Sequence, residues 1–204
     1  MTYRCKYFNE KLKQTEAICV MKNEITLNES VKEAMEIALI KLLKKKDINK
    51  ITVTELCETA GVGRSSFYRN FASMEDAAVS YVNRIYREYF RNNPVKSDAF
   101  KKGKFLFFLR ERYKFIKEHK DVFAVLHKNG ILYNVLVKMD SEVKAQYLLA
   151  DVSESRYFSA MIMGFSAGVI EEWVAGGMKE SEEELAEITK ACLTGTVKKL
   201  KDAF

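Results

Sequence analysis

Residues 51–71, ITVTELCETAGVGRSSFYRNF, form the stretch that most restricts the fold, because they read as two short helices joined by a glycine turn. Thr52 and Glu55 have the spacing of a capping box, in which the hydroxyl accepts from the amide of the third helical residue and the carboxylate reaches back to the cap amide. A helix is therefore predicted to begin at Val53. Gly61 can adopt the left-handed conformation that closes a helix. Two helices separated by such a turn form a helix-turn-helix.

The second helix of this pair, residues 64–70, carries side-chain types that recognise DNA. Only Phe67 and the following Phe71 are apolar, so one narrow stripe is predicted to pack and the rest to face solvent. Arginine suits guanine edges and phosphates, short hydroxyls allow close approach, and Asn or Tyr suits phosphate or adenine. The predicted contacts are Thr52 on phosphate and, in or along the major groove, Arg64, Ser65, Ser66, Tyr68, Arg69 and Asn70. The alternative is an ordinary solvated helix in a helical hairpin.

Two further helices are predicted to flank the pair. Ser30 and Glu33 form a second capping box, and apolar residues follow at helical spacing as far as Leu43, so a supporting helix is predicted to start after Ser30. Ser73 is the predicted cap of a long fourth helix, which the sequence at residues 92–94, Asn-Asn-Pro, ends.

Residues 30–43, with the following KKKDINKITVTELCETAGVGRSSFYRNFASMEDA, resemble the amino-terminal DNA-binding domain of the TetR family of bacterial transcriptional regulators. The resemblance implies a ligand-responsive repressor that binds a palindromic operator in double-stranded DNA as a homodimer. It also implies that the fourth helix joins the two domains and transmits ligand binding. Many members place a lysine at the start of that helix, where Met74 stands here, so that phosphate contact is not expected.

A single proline and nine glycines in 204 residues, with few alternating Val, Ile and Thr runs, predict an all-α fold. The predicted division is an N-terminal extension (1–29), a helix-turn-helix DNA-binding domain with its linking helix (30–93), and a helical ligand-binding and dimerisation domain (94–204). The net charge of +6 permits an anionic partner without requiring one. An alternative makes the extension an arm along phosphates through its basic residues, Arg4, Lys6, Lys11 and Lys13.

No catalytic or metal-binding pattern stands out in the chain. The four cysteines lack the spacing of a zinc site, and there is no zinc-protease, serine-hydrolase or phosphate-loop motif. No enzymatic activity, metal or cofactor is therefore expected. No apolar run approaches the ~18 residues of a membrane span, and the amino terminus lacks a secretory apolar region. A cytoplasmic protein without a membrane partner is expected.

The second half of the chain is predicted to be a helical body. Five apolar residues in a row, 105–109, cover every face of a helix turn and predict a buried helix. Shorter helices are predicted at 121–129, closed by Gly130, and at 131–149. Residues 155–176 are apolar on two sides, and Ser181 is the predicted cap of a final helix with glutamates in its first turn.

Two functions are expected of this body. The two-sided apolar helices at its end predict a dimer interface, for which the candidates are Ile170, Trp173, Leu185, Ile188 and Val197. The family resemblance implies a cavity for a small apolar or amphipathic effector, with Phe105, Phe108, Tyr133, Met161 and Phe165 as candidates for its wall. The last helices also resemble a subgroup of the same family from low-GC Gram-positive bacteria. That similarity leaves open an activator controlled by a protein co-regulator. A helical adaptor that binds only protein is a separate alternative.

Overall fold

The computed structural model describes residues 27–93, 105–144 and 156–203, and all regular structure in these ranges is helical, which confirms the all-α fold. Helix α1 spans residues 27–43, and a 3-10 turn, Ile48–Lys50, follows it. The later helices are α2 (Val53–Ala60), α3 (Arg64–Asn70), α4 (Met74–Asn92), α5 (Phe105–Glu118), α6 (Lys120–Lys128), α7 (Leu132–Lys144), α8 (Arg156–Ala175) and α9 (Glu182–Ala203). None of these helices is both long and apolar enough to span a membrane. We call residues 27–93 the head and the described residues after 104 the body.

A buried ion pair joins α1 to α4 in the head. Arg84 Nε donates to Glu36 Oε2 over 2.7 Å, and Ser80 Oγ donates to the other carboxylate oxygen over 2.6 Å. Glu36 is only 1% exposed, so its charge depends on these partners. Arg84 also lies 3.1 Å from Glu33 and 3.2 Å from Glu88. Burial lowers the pKa of the Arg84 guanidinium, but its acidic partners outweigh burial and the net shift is upward.

Helix α1 already includes residue 27, the first described residue at this end, so Ser30 lies inside the helix and its predicted capping box is wrong. A contact with α3 stabilises the part of α1 that precedes Ser30. The side-chain amides of Asn28 and Asn70 pair: Asn28 Nδ2 donates to Asn70 Oδ1 over 3.1 Å, and Asn70 Nδ2 donates to Asn28 Oδ1 over 3.2 Å. A long-range pair of this kind outweighs the local cap signal at Ser30. The predicted cap of α4 is confirmed, because Ser73 Oγ accepts from the Asp76 amide over 3.0 Å.

The body packs onto α4 through α5 and α7. Helix α5 lies against α9, and α8 contacts both α6 and α7. At the junction the Tyr89 ring meets Phe115 edge to face, with 5.3 Å between centroids. The Tyr89 hydroxyl is buried and has no hydrogen-bond partner among the described residues. Burial, with smaller contributions from Glu118 and Glu111, raises the pKa of Tyr89 to about 12. The apolar core is therefore continuous between head and body.

Helix α5 is amphipathic, and the prediction that it is buried on every face is wrong. Leu109, Tyr113 and Ile116 are buried and follow the i, i+4, i+7 spacing of one helix face. Phe107 is 44% exposed on the opposite side. A run of five apolar residues shows only that every face carries an apolar group, and here the body covers one face.

The turns of the body follow the predicted signals. Gly130, with φ of 68°, closes α6, and Gly177, with φ of 81°, follows α8. Ser181 and Glu184 form a complete capping box at α9: the hydroxyl accepts from the Glu184 amide over 3.2 Å, and the carboxylate accepts from the Ser181 amide over 2.8 Å. That amide, followed by the Ser181 hydroxyl, lowers the pKa of Glu184.

Candidate DNA-binding surface

The helix-turn-helix forms at the predicted residues. Thr52 Oγ1 accepts from the Glu55 amide over 3.2 Å, which confirms the cap of α2. The other half of the predicted capping box is wrong, because the Glu55 carboxylate forms an ion pair with Lys46 instead of reaching back to the cap. Gly61 is left-handed, with φ of 68°, and the Val62 amide closes the turn on Cys57 O over 2.9 Å.

Helix α3 is held on the head by a single apolar stripe. Phe67 is its one buried residue, and the buried Phe71 follows directly at the helix end. Their rings lie 5.8 Å apart, and Lys32 Nζ lies 5.7 Å from the centre of the Phe71 ring. The remaining side chains of α3 lie on its solvent side or at its margin. The predicted division between a packed stripe and a polar face is therefore confirmed.

The predicted DNA contacts are Thr52 at the start of α2 and six residues of α3, and most of them are exposed. The exposed members are Thr52, Arg64, Ser65, Tyr68 and Arg69, and Ser66 is half-buried. Tyr68 is 63% exposed, and its ring meets Phe67 edge to face with 5.5 Å between centroids. Close to this face, burial raises the pKa of the Cys57 thiol, and the charge of Arg64 partly offsets the shift.

Asn70 is placed differently from the other predicted contacts. Besides its pairing with Asn28, its amide donates to Ser66 O over 2.8 Å. Its polar atoms are therefore occupied within the head, and its contact with DNA stays a prediction. Sequence reasoning did not single out Asn28, because an asparagine near a helix start reads as a local cap and nothing nearby points to a partner 42 residues later.

The interface candidates occupy two kinds of environment. Ile170, Trp173 and Leu185 are buried inside the protomer, whereas Ile188 is 51% exposed. Ile188 lies along an open groove whose other lining residues are Lys179, Glu180, Glu183, Glu184 and Glu187. The side chain of Val197 lies outside the described part of the structure. An apolar pattern on two sides of a helix does not tell which side its own chain covers, and here the protomer covers most of it.

The candidates for an effector cavity are only partly assembled. Tyr133 is 44% exposed on α7, and its hydroxyl lies 3.3 Å from the position that a Cβ on Gly164 would take. Met161 and Phe165, on either side of that glycine, are half-buried. The side chains of Phe105 and Phe108 lie outside the described part. Within the described residues no group of three His, Cys, Asp or Glu side chains could hold a metal ion.

Two family models match the chain. Residues 38–77 match "Bacterial regulatory proteins, tetR family", and residues 107–195 match "Transcriptional regulator C-terminal region". The first covers the helix-turn-helix and the start of α4, and the second covers most of the body. No curated protein matches the sequence.

Several solved structures have a similar helical arrangement. They include the fatty acid degradation regulator FadR from Bacillus halodurans, with 17% identity, a TM-score of 0.45 and coverage of 78% of this chain and 92% of that one. The dihydroxyacetone kinase operon activator DhaS has 17% identity, a TM-score of 0.42 and coverage of 82% and 96%. The TetR family repressor AlkX from Dietzia sp. strain DQ12-45-1b, implicated in biodegradation of n-alkanes, has 15% identity, a TM-score of 0.38 and coverage of 78% and 95%. These values are too low to transfer a ligand or partner to this chain.

Proposed function

Because the chain belongs to the TetR family of bacterial transcriptional regulators, we propose that it is a cytoplasmic, ligand-responsive repressor that binds a palindromic operator as a homodimer. The family domains that it carries are those of a non-enzymatic regulator. The observation that carries the proposal is the exposed face of α3, with Tyr68 and Arg69 in solvent while Phe67 anchors the helix. We assign DNA binding to residues 30–93 and regulation and dimerisation to residues 94–204, with residues 1–29 as an extension.

The proposed roles of the individual residues in DNA binding follow from their side-chain chemistry. Arg64 and Arg69 can donate in pairs to guanine or to phosphate, and the short Ser65 side chain allows the helix to approach the groove. Tyr68 presents a ring and a hydroxyl to the same surface. Thr52, at the start of α2, suits a phosphate contact. A good bidentate contact discriminates by about 1–3 kcal/mol, so several on one short helix support sequence-specific binding.

Dimerisation follows from the small size of this surface. One seven-residue helix offers too little contact for tight specific binding, whereas two copies can bind half-sites one turn of the duplex apart. We propose that the partner packs on the exposed stripe of α9 formed by Ile188, Cys192 and Gly195, which follow helical spacing. Among the described residues, no atom lies within 4 Å of the position that a Cβ at Gly195 would take, which supports close approach by a second chain. Ile170, Trp173 and Leu185 then support the interface from within the protomer.

The proposed effector is small and apolar or amphipathic. The support for it lies between α7 and α8, where the Tyr133 hydroxyl reaches Gly164 and the half-buried Met161 and Phe165 flank that glycine. Methionine and aromatic side chains adapt to apolar ligands, and a hydroxyl beside them can orient a polar end.

DNA binding is tested by retardation of the region upstream of the protein's own gene. Tyr68→Ala/Arg69→Ala should weaken binding on the order of 100-fold or more, because it removes two base or phosphate contacts while Phe67 keeps the helix in place. Arg87→Ala, which removes an exposed arginine on α4, is the matched control and should bind normally. Unchanged retardation by the double variant, with a wild-type circular dichroism spectrum, would refute the assignment.

Dimerisation is tested by sedimentation at micromolar concentration. Ile188→Asp should shift the protein to a monomer, because it places a charge in the proposed apolar contact. Leu27→Asp provides the control, since Leu27 is also an exposed apolar residue, at 67% against 51% for Ile188, and lies on α1 in the head. A wild-type monomer, or an Ile188→Asp variant that remains dimeric, would contradict the proposed interface.

A further inference from the structure

Asn129 lies in the turn between α6 and α7, where the body meets the head. Its side-chain oxygen accepts from the Ile48 amide over 2.9 Å. Its side-chain nitrogen donates to Val125 O over 2.8 Å and to Leu43 O over 3.3 Å. The two head partners come 81 and 86 residues earlier in the chain. One amide of the body therefore contacts both ends of the link between α1 and the 3-10 turn.

Both head partners are groups that their own helices leave unpaired. The last carbonyls of a helix and the first amides of the next one have no partner within the helix. Leu43 is the last residue of α1, and Ile48 is the first residue of the 3-10 turn. Within the link, Asp47 caps the turn by accepting from the Asn49 amide over 2.8 Å. Asn129 supplies a donor to Leu43 O and an acceptor for the Ile48 amide.

The Asn129 side chain is held firmly by the body. The backbone N–H of Asn129 donates to Val125 O over 3.1 Å. The backbone N–H of Ile131 donates to Leu126 O over 3.1 Å across the left-handed Gly130. Leu126 is fully buried beneath the turn. These bonds fix the turn on α6, so a movement of α6 carries the Asn129 amide with it.

Helix α6 is in turn tied to α8. His127 Nδ1 lies 2.6 Å from Glu171 Oε1, two residues before Asn129. On the head side, Ile51 is buried and Thr52 caps α2, so the path from the Ile48 amide to the helix-turn-helix is three to four residues long. A contiguous set of bonds therefore runs from α8 through α6 and Asn129 to the start of α2.

A second link between body and head is weaker. Lys138 on α7 lies 2.5 Å from Glu75 on α4, but both partners are partly exposed and such a pair is screened by salt. The Asn129 bonds involve neutral groups in a partly buried turn and are much less sensitive to ionic strength. At physiological salt we expect them to define the position of the 3-10 turn against the body.

We infer that Asn129 is a positioning residue that sets the angle at which the body presents the helix-turn-helix, and hence the separation of the two α3 helices in the dimer. This inference rests on the proposed operator binding by a homodimer. Asn129 does not lie on the exposed face of α3; it contacts the link before α2. The inference therefore concerns how the two α3 helices are spaced to match the two half-sites of the operator.

The bonds themselves are tested without DNA, by hydrogen exchange of the Ile48 amide. Asn129→Ala should speed exchange there, because it removes the acceptor, whereas Asn129→Asp should preserve protection, because it keeps an acceptor and loses the donor to Leu43 O. Asn134→Ala, an exposed asparagine on α7, is the matched control and should leave Ile48 protected. Unchanged exchange at Ile48 in Asn129→Ala would overturn the inference.

The role in positioning is tested with duplexes derived from the operator. Asn129→Ala should bind the full palindrome about tenfold more weakly, because both side-chain bonds from Asn129 to the head are lost, yet bind an isolated half-site as the wild type does. It should also discriminate less against operators whose half-sites are moved by one base pair. Equal losses on full site and half-site, or no loss on either, would overturn the inference and leave the proposed function standing. Failure of the wild-type protein to bind any probe would instead refute the proposed function.

Discussion

The Glu36–Arg84 ion pair predicts a large loss of stability when Arg84 is replaced by alanine. The Glu36 side chain is 2% exposed and that of Arg84 is 21% exposed, so the carboxylate is much the more deeply buried partner. Removal of one member of a buried pair costs about 3–5 kcal/mol, because the other charge is left in a poorly solvated site. Ser80 still donates to Glu36 after the substitution, which places the expected loss near the lower limit, about 3 kcal/mol.

The measurement is urea denaturation followed by circular dichroism at one fixed protein concentration, because dimer formation makes apparent stability depend on concentration. A loss of about 3 kcal/mol corresponds to a melting temperature lower by roughly 6–12 °C for a chain of this size. Arg87→Ala, on the same helix but exposed, should change stability by less than about 0.5 kcal/mol. Glu36→Gln should cost less than Arg84→Ala, because the guanidinium keeps Glu33 and Glu88 as partners.

A double-mutant cycle decides between a specific pair and general loss of packing. Glu36→Gln combined with Arg84→Ala should be less destabilising than the sum of the two single substitutions, by about 0.5–3 kcal/mol. Additive effects within experimental error would show that the two groups do not interact energetically. An Arg84→Ala variant within about 0.5 kcal/mol of the wild type would refute the reasoning about the buried carboxylate.

Three smaller effects are also expected. Gly61→Ala should cost about 1–2 kcal/mol in urea denaturation through its backbone conformation alone, since a Cβ there meets no atom within 4 Å, and Gly61→Asn should cost less. Tyr89→Phe should raise the free energy of unfolding by up to about 1 kcal/mol, because it removes a buried hydroxyl that no described residue pairs with; a clear loss in thermal unfolding would contradict the geometry. The lowered pKa of Glu184 means that its cap stabilises α9 above the ordinary carboxyl value of 4.5 and is lost as pH falls through the folded-state pKa. Thermal unfolding of the wild type and Glu184→Gln should therefore differ at pH 7 and converge near pH 3, and a constant difference would exclude this linkage.

The sequence predicted the features that depend on neighbouring residues. The caps at Thr52, Ser73 and Ser181 and the left-handed Gly61 and Gly130 all form as expected. Each involves groups within about four residues of one another, so the local pattern contains the whole interaction.

The errors occurred where a distant residue decides the outcome. Helix α1 includes residues before Ser30, where Asn28 pairs with Asn70, and Glu55 turns to Lys46 instead of its own cap. Asn129 reads locally as the end of α6, and its two partners in the head are visible only once the fold brings them together.

Burial was the least predictable property of the body. The apolar run at 105–109 and the two-sided α8 show how much apolar surface must be covered. Which helix or second chain covers it depends on the arrangement of the helices. Thus Phe107 is exposed, whereas Ile170 and Trp173 lie inside the protomer. For the same reason the sequence does not distinguish an effector cavity from a filled core, since a cavity is defined by the space between side chains.

The attachment of α3 through Phe67 has a consequence for how this protein can change its targets. Because Phe67, Phe71 and Asn70 hold the helix on the head, the exposed side chains are free to vary. Substitutions at Arg64, Ser65, Tyr68 and Arg69 therefore alter the polar face at little cost to folding. New operator preferences can therefore accumulate, by natural drift or in a laboratory library, without compensating changes elsewhere. The exposed face of α3 can thus vary while the rest of the head stays the same. Phe67 is the position that such a library must leave unchanged.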